Sequence, residues 1–408
     1  MNKMMNSRLL AALPALFSSV VLAGGFQSFE QNASGLGVSY AGSAAVAENA
    51  GTIFYNPAGM TLLPGRQVSL GVTGVRSGIK FRNTGSNATF VLNGSNGGDA
   101  GEWQAMPNAY LSWQLAPRWF VGLGISSPFG LSTQYEDPNW IGRFHALRSE
   151  IRTVNVNPSL AYRLNDRVAI GFGLNYQRLD LDFSHQTGAG LSLFQADDAA
   201  WSWNAGALFT LSPAMRVGIS YRAPMKYRLE GHQVVAGVVV APAGAKLELP
   251  STFTLSVWQQ VSDRWEAMGD LSYTRWNGLD QMVLYHRLNG AVLGTESFGY
   301  SNAWRVAWGA AYKYSDACKI KFGIAYDRTP ARWGFGSARA PDHHRLWLSL
   351  GGQWRPWRDT TLDVGYAYLY IKDPAFYQVR TAIPGTANLI GRYDLNAHIV
   401  GVQLTQGF

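Results

Sequence analysis

The residues best suited to catalysis or metal binding in this chain are seven histidines and one cysteine, Cys318, and their spacing serves neither purpose. A transition-metal site needs imidazoles or thiolates that converge, commonly one helical turn or a few loop residues apart. No histidine pair has that spacing. His343 and His344 are adjacent, and adjacent side chains of a strand point to opposite faces. There is no Gly-x-Ser-x-Gly elbow for a nucleophilic serine. The Gly-x-Gly pairs Gly122/Gly124 and Gly171/Gly173 lack the following helix that a phosphate cradle requires. No catalytic residue, metal or cofactor is expected, and a single cysteine excludes an intramolecular disulfide.

The elements that would position any site are strands. Residues 1–23 have the form of a secretory signal: Lys3 and Arg8 precede an apolar stretch, and Val21-Leu22-Ala23 offers a cleavage site. No helix-length apolar run follows, although 47% of residues are hydrophobic and only 15% are charged. The apolar content is dispersed by alternation. Val154, Val156, Leu160, Tyr162 and Leu164 alternate with Thr153, Asn155, Asn157, Ser159 and Arg163, and Leu362, Val364, Tyr366, Tyr368 and Tyr370 alternate with Asp363, Gly365 and Ala367. A period of two with one face in lipid and one in a lumen marks a transmembrane β-strand.

Tight turns fall near Ala116-Pro117-Arg118, Asn165-Asp166, Ser212-Pro213-Ala214, Ser262-Asp263, Ser315-Asp316 and residues 356–359. Alternating with seven long polar or glycine-rich loops, they predict fourteen antiparallel strands over residues 65–408, with both termini periplasmic. Trp119, Trp265 and Trp357 stand beside short turns as an aromatic girdle, and the last segment alternates through Val400, Val402 and Leu404 to a terminal Phe408. A soluble β-sandwich alternates too, but it explains neither the signal nor the girdle. The fold class is therefore all-β, a multi-pass outer-membrane barrel of a Gram-negative bacterium. Removing Lys3 and Arg8 with the signal lowers the formal charge from +8 to +6. Its arginines are scattered, which suits lipopolysaccharide phosphates and gives no nucleic-acid signature.

Residues 24–64 break the strand pattern and are rich in alanine, serine and glycine, whose small size lets a backbone pack closely against a wall. Within them Gly25-Phe26-Gln27, Ala33-Ser34-Gly35-Leu36-Gly37, Tyr40-Ala41-Gly42 and above all Asn56-Pro57-Ala58 resemble the N-terminal plug of the FadL/TodX family of hydrophobic-compound transporters. Ser127-Pro128-Phe129-Gly130, residues 157–162 and Ser220-Tyr221-Arg222 extend the likeness along the chain.

The resemblance implies uptake of a long-chain fatty acid or aromatic hydrocarbon. Loops capture the ligand, an apolar pocket above the plug binds it, the plug rearranges, and the ligand leaves sideways through the wall. Lipopolysaccharide, outer-membrane lipid and the barrel assembly machinery are the implied partners. Phe26 matches the plug residue that reaches the ligand, with simple plug packing as the other reading. Asn56, Pro57 and Ala58 hold the plug together. Phe120, Gly122 and Gly124 mark the strand expected to bend for the lateral opening, although Gly171 and Gly173 show that ordinary strands carry such pairs too.

Residues 234–242, with Val238, Val239 and Val240, form an apolar loop for ligand capture or else a strand extension above the bilayer. Arg178, Arg222 and Lys226 are the candidate partners of a carboxylate, and pairing with acids such as Asp180 or Asp182 is the alternative. An adhesin or scaffold, in which the loops matter and the lumen does not, stays open, as do two further functions. One is a general diffusion porin; the other, a phospholipase, needs a Ser–His pair on one face.

Overall fold

The computed structural model describes residues 25–332, 336–373, 375–382 and 385–408. The signal expected at residues 1–23 lies outside the described residues. Fourteen antiparallel strands close into a barrel. In chain order they are β1 (Arg66–Asn83), β2 (Trp103–Ala116), β3 (Trp119–Ser126 and Gly130–Gln134), β4 (Arg148–Arg163), β5 (Val168–Thr187), β6 (Gly190–Ser212) and β7 (Met215–Arg222 and Met225–Val235). Then follow β8 (Val238–Leu249 and Thr252–Gln260), β9 (Trp265–Thr274 and Gln281–His286), β10 (Val292–Ser297 and Ala303–Lys313), β11 (Cys318–Asp327), β12 (Arg345–Trp357), β13 (Thr360–Ile371 and Ala375–Ala382) and β14 (Gly385–Gly407). Each strand pairs with the next, and β14 returns to β1 from Gln67↔Gly407 to Asn83↔Gly391, so the barrel closes on itself.

Alternation sets which face meets lipid. Leu362, Val364 and Tyr366 point outward while Asp363 and Ala367 are buried inside. Exposed Trp119, Trp265 and Trp357 ring the end that carries the six tight turns, and exposed Trp201 and Tyr370 lie toward the other end. Short turns face the periplasm in such barrels, so the start of β1 at Arg66 and the C-terminal Phe408 do too. The expectation that both termini are periplasmic does not extend to the described leading end, where Gly25 donates to Asp342 of a long outer loop.

The loops depart from expectation. Three are long, over residues 84–102, 135–147 and 328–344, but β5–β6 and β7–β8 turn over only residues 188–189 and 236–237. Crossing a membrane takes about 9–11 residues of strand, whereas β6 and β14 run for 23 each. Outside the bilayer the backbone still satisfies its hydrogen bonds most completely by continuing the ladder. The presumed apolar loop at residues 234–242 is thus a hairpin, pairing Val235↔Val238 and Val234↔Val239 around Ala236 and Gly237, both at positive φ.

Residues 25–63 lie against the inward face of the wall. They form a 3₁₀ turn at Leu36–Val38, one helical turn at Thr52–Tyr55 and a 3₁₀ helix at Pro57–Leu62, joined by turns. Glycines of the wall admit this backbone: Gly122, Gly171, Gly218, Gly309, Gly323 and Gly351, on six different strands, each touch it. A β-carbon at Gly323 would stand 2.2 Å from the Val38 carbonyl carbon, a distance no real contact tolerates.

A gap in the wall and an aromatic cage around Phe26

Asn56 shows how the inner segment is fastened. Its Oδ1 accepts from the Ala58 N–H, capping the helix that Pro57 opens, and its Nδ2 donates to the Ala44 and Ala207 carbonyls. One side chain thus ties two turns of the segment to β6. Ser43 donates to Asp270 on β9 from its backbone and its hydroxyl, at 3.0 and 2.6 Å. Deeper down, Glu48 receives Lys319 at 3.1 Å and Lys321 at 2.8 Å, and Lys321 also reaches Asp363 on β13 at 3.1 Å. Burial pushes the Glu48 carboxyl up, but the two ammonium groups outweigh it and hold the acid well below the usual carboxylate range.

The wall itself is incomplete between β2 and β3. β3 pairs with β2 only from Ala109↔Ile125 down to Ala116↔Trp119. Above that point residues 103–108 of β2 pair with β1 alone, among the described residues. Six residues at about 3.3 Å each leave an unpaired edge of roughly 20 Å. Pro107 stands on this edge, a position a proline tolerates because it has no N–H to offer a further strand.

β3 leaves the sheet at residues 127–129, between its two paired stretches, and the inner segment occupies the vacated positions. Ser28 N–H donates to the Pro128 carbonyl at 2.8 Å, and Gly130 N–H donates to the Phe26 carbonyl at 2.9 Å. The bend therefore lies three residues beyond Gly124. Gly122 and Gly124 remain paired on both sides; Gly122 faces Ile53 and Met60 of the segment, and Phe120 is buried beside them.

Phe26 is fully buried, its ring centroid 5.1 Å from Trp276, 6.3 Å from Phe129 and 6.4 Å from both Phe298 and Tyr300. Each of those rings sits where a wall strand is interrupted: Phe129 in β3, Trp276 in β9, Phe298 and Tyr300 in β10. A regular strand alternates its side chains, so only a break can turn several large rings toward one point. Sequence reasoning singled out Phe26 and missed the cage around it; Pro128, Gly278 and Gly299, which stand in the interrupted stretches, are the local signal that could have found it.

The other candidates do not converge on Phe26. Arg178 points outward and pairs with Asp180 and Asp197, at 3.1 and 3.0 Å. Lys226 is exposed on the outer face near Glu248, at 3.6 Å. Arg222 alone faces inward, donating to Asn175 and to the Phe54 carbonyl and covering the Phe54 ring, so it holds the segment. Val238, Val239 and Val240 are exposed at the hairpin tip. Around the segment the described cavities include two of about 50 Å³ each. Spaces of that size hold one or two waters and no acyl chain.

A family model described as outer membrane protein transport protein (OMPP1/FadL/TodX) matches residues 14–408. Outer membrane protein P1 of Haemophilus influenzae is 30% identical over the full length of both chains. The long-chain fatty acid transport protein of Escherichia coli K12 is 26% identical over 88% of this chain and 91% of its own. Among solved structures, a Pseudomonas aeruginosa FadL homologue superposes with a TM-score of 0.87 at 23% identity, covering 94% of this chain and all of its own. The Pseudomonas putida toluene transporter TodX gives 0.70 at 15% identity, covering 92% and 98%. By its matched span, its fourteen-stranded barrel and its inner segment, this chain belongs to the FadL/TodX family of outer-membrane transport proteins.

Proposed function

We infer that the protein carries long-chain fatty acids or similarly apolar molecules inward across the outer membrane. Its inner segment acts as a plug, and cargo leaves through the side of the barrel. The unpaired β2 edge opposite the β3 break carries this reading. An apolar chain loses its driving force if it must cross a column of water, and a lateral gap delivers it from the lumen to lipid without that crossing. Phe26 occupies the aromatic cage in the closed state, and its departure with residues 27–31 would free the cage and the gap together. The C-terminal strand, ending in the exposed Phe408, is the part offered to the barrel assembly machinery, and the outer face above the girdle meets lipopolysaccharide.

Deleting residues 127–129 lets β3 run unbroken beside β2 and tests the lateral path. Cells producing the variant are expected to assemble the barrel and lose oleate uptake. Normal uptake would remove the lateral path from the mechanism. A general diffusion porin instead predicts large, steady ion currents through the intact protein in a planar bilayer.

A further inference from the structure

The wall has a second shortfall, at the extracellular end and on another side of the barrel. The outer stretch of β10, Val292–Ser297, pairs with β9 alone, and the outer stretch of β13, Ala375–Ala382, pairs with β14 alone, among the described residues. Between them β11 stops at Asp327 and β12 begins only at Arg345. The described residues of the connecting loop, 328–332 and 336–344, do not extend the missing strands upward. They turn inward to the opposite wall: Tyr135 donates to the Ala338 carbonyl at 2.8 Å and Thr133 to the Arg339 carbonyl at 2.7 Å. Arg339 also donates to Ser149 on β4 and pairs with Glu296 on β10, each at 3.1 Å.

The notch left behind is a cavity of about 500 Å³. That is within the range of small-molecule sites, roughly 300–1,000 Å³. Its threshold is cationic. Tyr326, Leu346 and Tyr370 form one outward row across β11, β12 and β13. Arg328, His344 and Lys372 are each two positions further from the membrane. His344 stacks on Tyr326, with centroids 5.9 Å apart, and its carbonyl accepts from the Lys372 N–H at 3.3 Å.

Two acids also line the cavity. Asp342 is committed to Arg345 at 2.5 Å, to the Thr329 hydroxyl and to the Gly25 N–H. Arg332 is committed to Asp280. That leaves Arg328 and Lys372 against Asp373, one net positive charge. The far side of the cavity is Tyr300, whose ring belongs to the Phe26 cage.

We propose that this notch is a lateral inlet, in which Arg328 and Lys372 receive the carboxylate of a single-chain amphiphile lying in the outer leaflet while its tail passes Tyr300 toward the cage. The inlet rests on the transport reading and adds a side door for cargo already dissolved in the membrane. Two cations just above a tyrosine belt match the depth at which a fatty-acid headgroup lies, and Tyr300, Ala331, Ala340, Phe376 and Tyr377 give the otherwise polar cavity behind them an apolar side for the tail.

The test compares radiolabelled oleate with uncharged hexadecanol in cells lacking another transporter. For the R328E/K372E variant the oleate concentration giving half-maximal uptake is expected to rise roughly five- to tenfold, as two partly exposed ion pairs predict. Hexadecanol uptake and heat-modifiable migration of the barrel should stay unchanged, and the charge-preserving R328K/K372R variant should handle oleate normally. Oleate uptake by R328E/K372E indistinguishable from the parent overturns the inlet. So does loss of co-purifying lipopolysaccharide with oleate uptake intact, which would assign the row to lipid phosphates. Should R328E/K372E fail to assemble, S301C in a C318A background, labelled with a bulky maleimide inside the notch, gives the same decision: uptake blocked supports the inlet, uptake unchanged overturns it. Failure of the parent protein to take up either probe would instead sink the transport reading itself.

Discussion

Gln31 holds Ser127 from both sides of its backbone: its Oε1 accepts from the Ser127 N–H at 2.9 Å and its Nε2 donates to the Ser127 carbonyl at 2.8 Å. The amide side chain thus takes the place that a neighbouring strand would fill, at the point where β3 leaves the sheet. If the segment moves as proposed, these two bonds are the latch between it and the gap.

Replacing Gln31 with leucine removes both bonds and leaves the Ser127 peptide without these partners. At roughly 1 kcal/mol per bond, the closed arrangement should weaken by about 2 kcal/mol. Hydrogen exchange at Ser28 and Gly130 is expected to accelerate while the barrel strands keep their protection. Unchanged exchange there would mean that the latch lies elsewhere.

Glu30, beside that latch, is fully buried, and neither carboxylate oxygen meets a hydrogen-bond donor of another described residue. Burial first, then the like charge of Asp327, push its acid up to about 7 from 4.5, against the opposing pull of its own backbone N–H, Arg345 and Arg305. The protonated acid therefore belongs to the seated state. Seating is firmest below pH 4.5, weakens as pH rises through the interval from 4.5 to 7, and loses roughly 3 kcal/mol once pH exceeds the upper value. Single-channel openings should become more frequent over that interval, and Glu30→Gln should flatten the dependence. A variant with the parent's pH profile would assign the effect to another group.

The wall glycines give a matched pair of substitutions. Gly323→Val places its side chain into the Val38 backbone, whereas Gly352 has no neighbour nearer than a backbone oxygen at 4.0 Å. G323V should unseat the segment and raise ion leakage, and G352V should behave like the parent. Equal conductance of the two in planar bilayers would contradict the contact.

Much of this was legible in the sequence, and the boundary is physical. Alternation at Leu362, Val364 and Tyr366 is imposed by lipid on one side and lumen on the other, so it survives in the bare sequence and fixes strand count and facing. Asn56-Pro57-Ala58 is a local capping motif and reads locally. The break at residues 127–129 and the clustering of Trp276, Phe298 and Tyr300 are decided by contacts with residues 26–31, far away in the chain. Arg178 misled because strand parity, not residue type, decides whether a cation faces cargo or lipid headgroups. Pro107 on the unpaired edge and Pro128 in the break are local signs of the gap.

Removing residues 24–58 should convert the protein into a conducting channel while leaving its heat-modifiable migration intact. Steady currents in planar bilayers are the expected record. A deletion variant as silent as the parent would show that the lumen is sealed by the wall or the outer loops instead.

The glycine positions bear on how such a protein can change. Where Gly218, Gly309, Gly323 and Gly351 lie, the inner wall is a cast of the segment's backbone, taken at a distance that admits no side chain. Mould and casting are encoded hundreds of residues apart, yet neither can be altered alone. A chimera carrying a relative's leading segment should assemble only if the matching bare positions are transplanted with it.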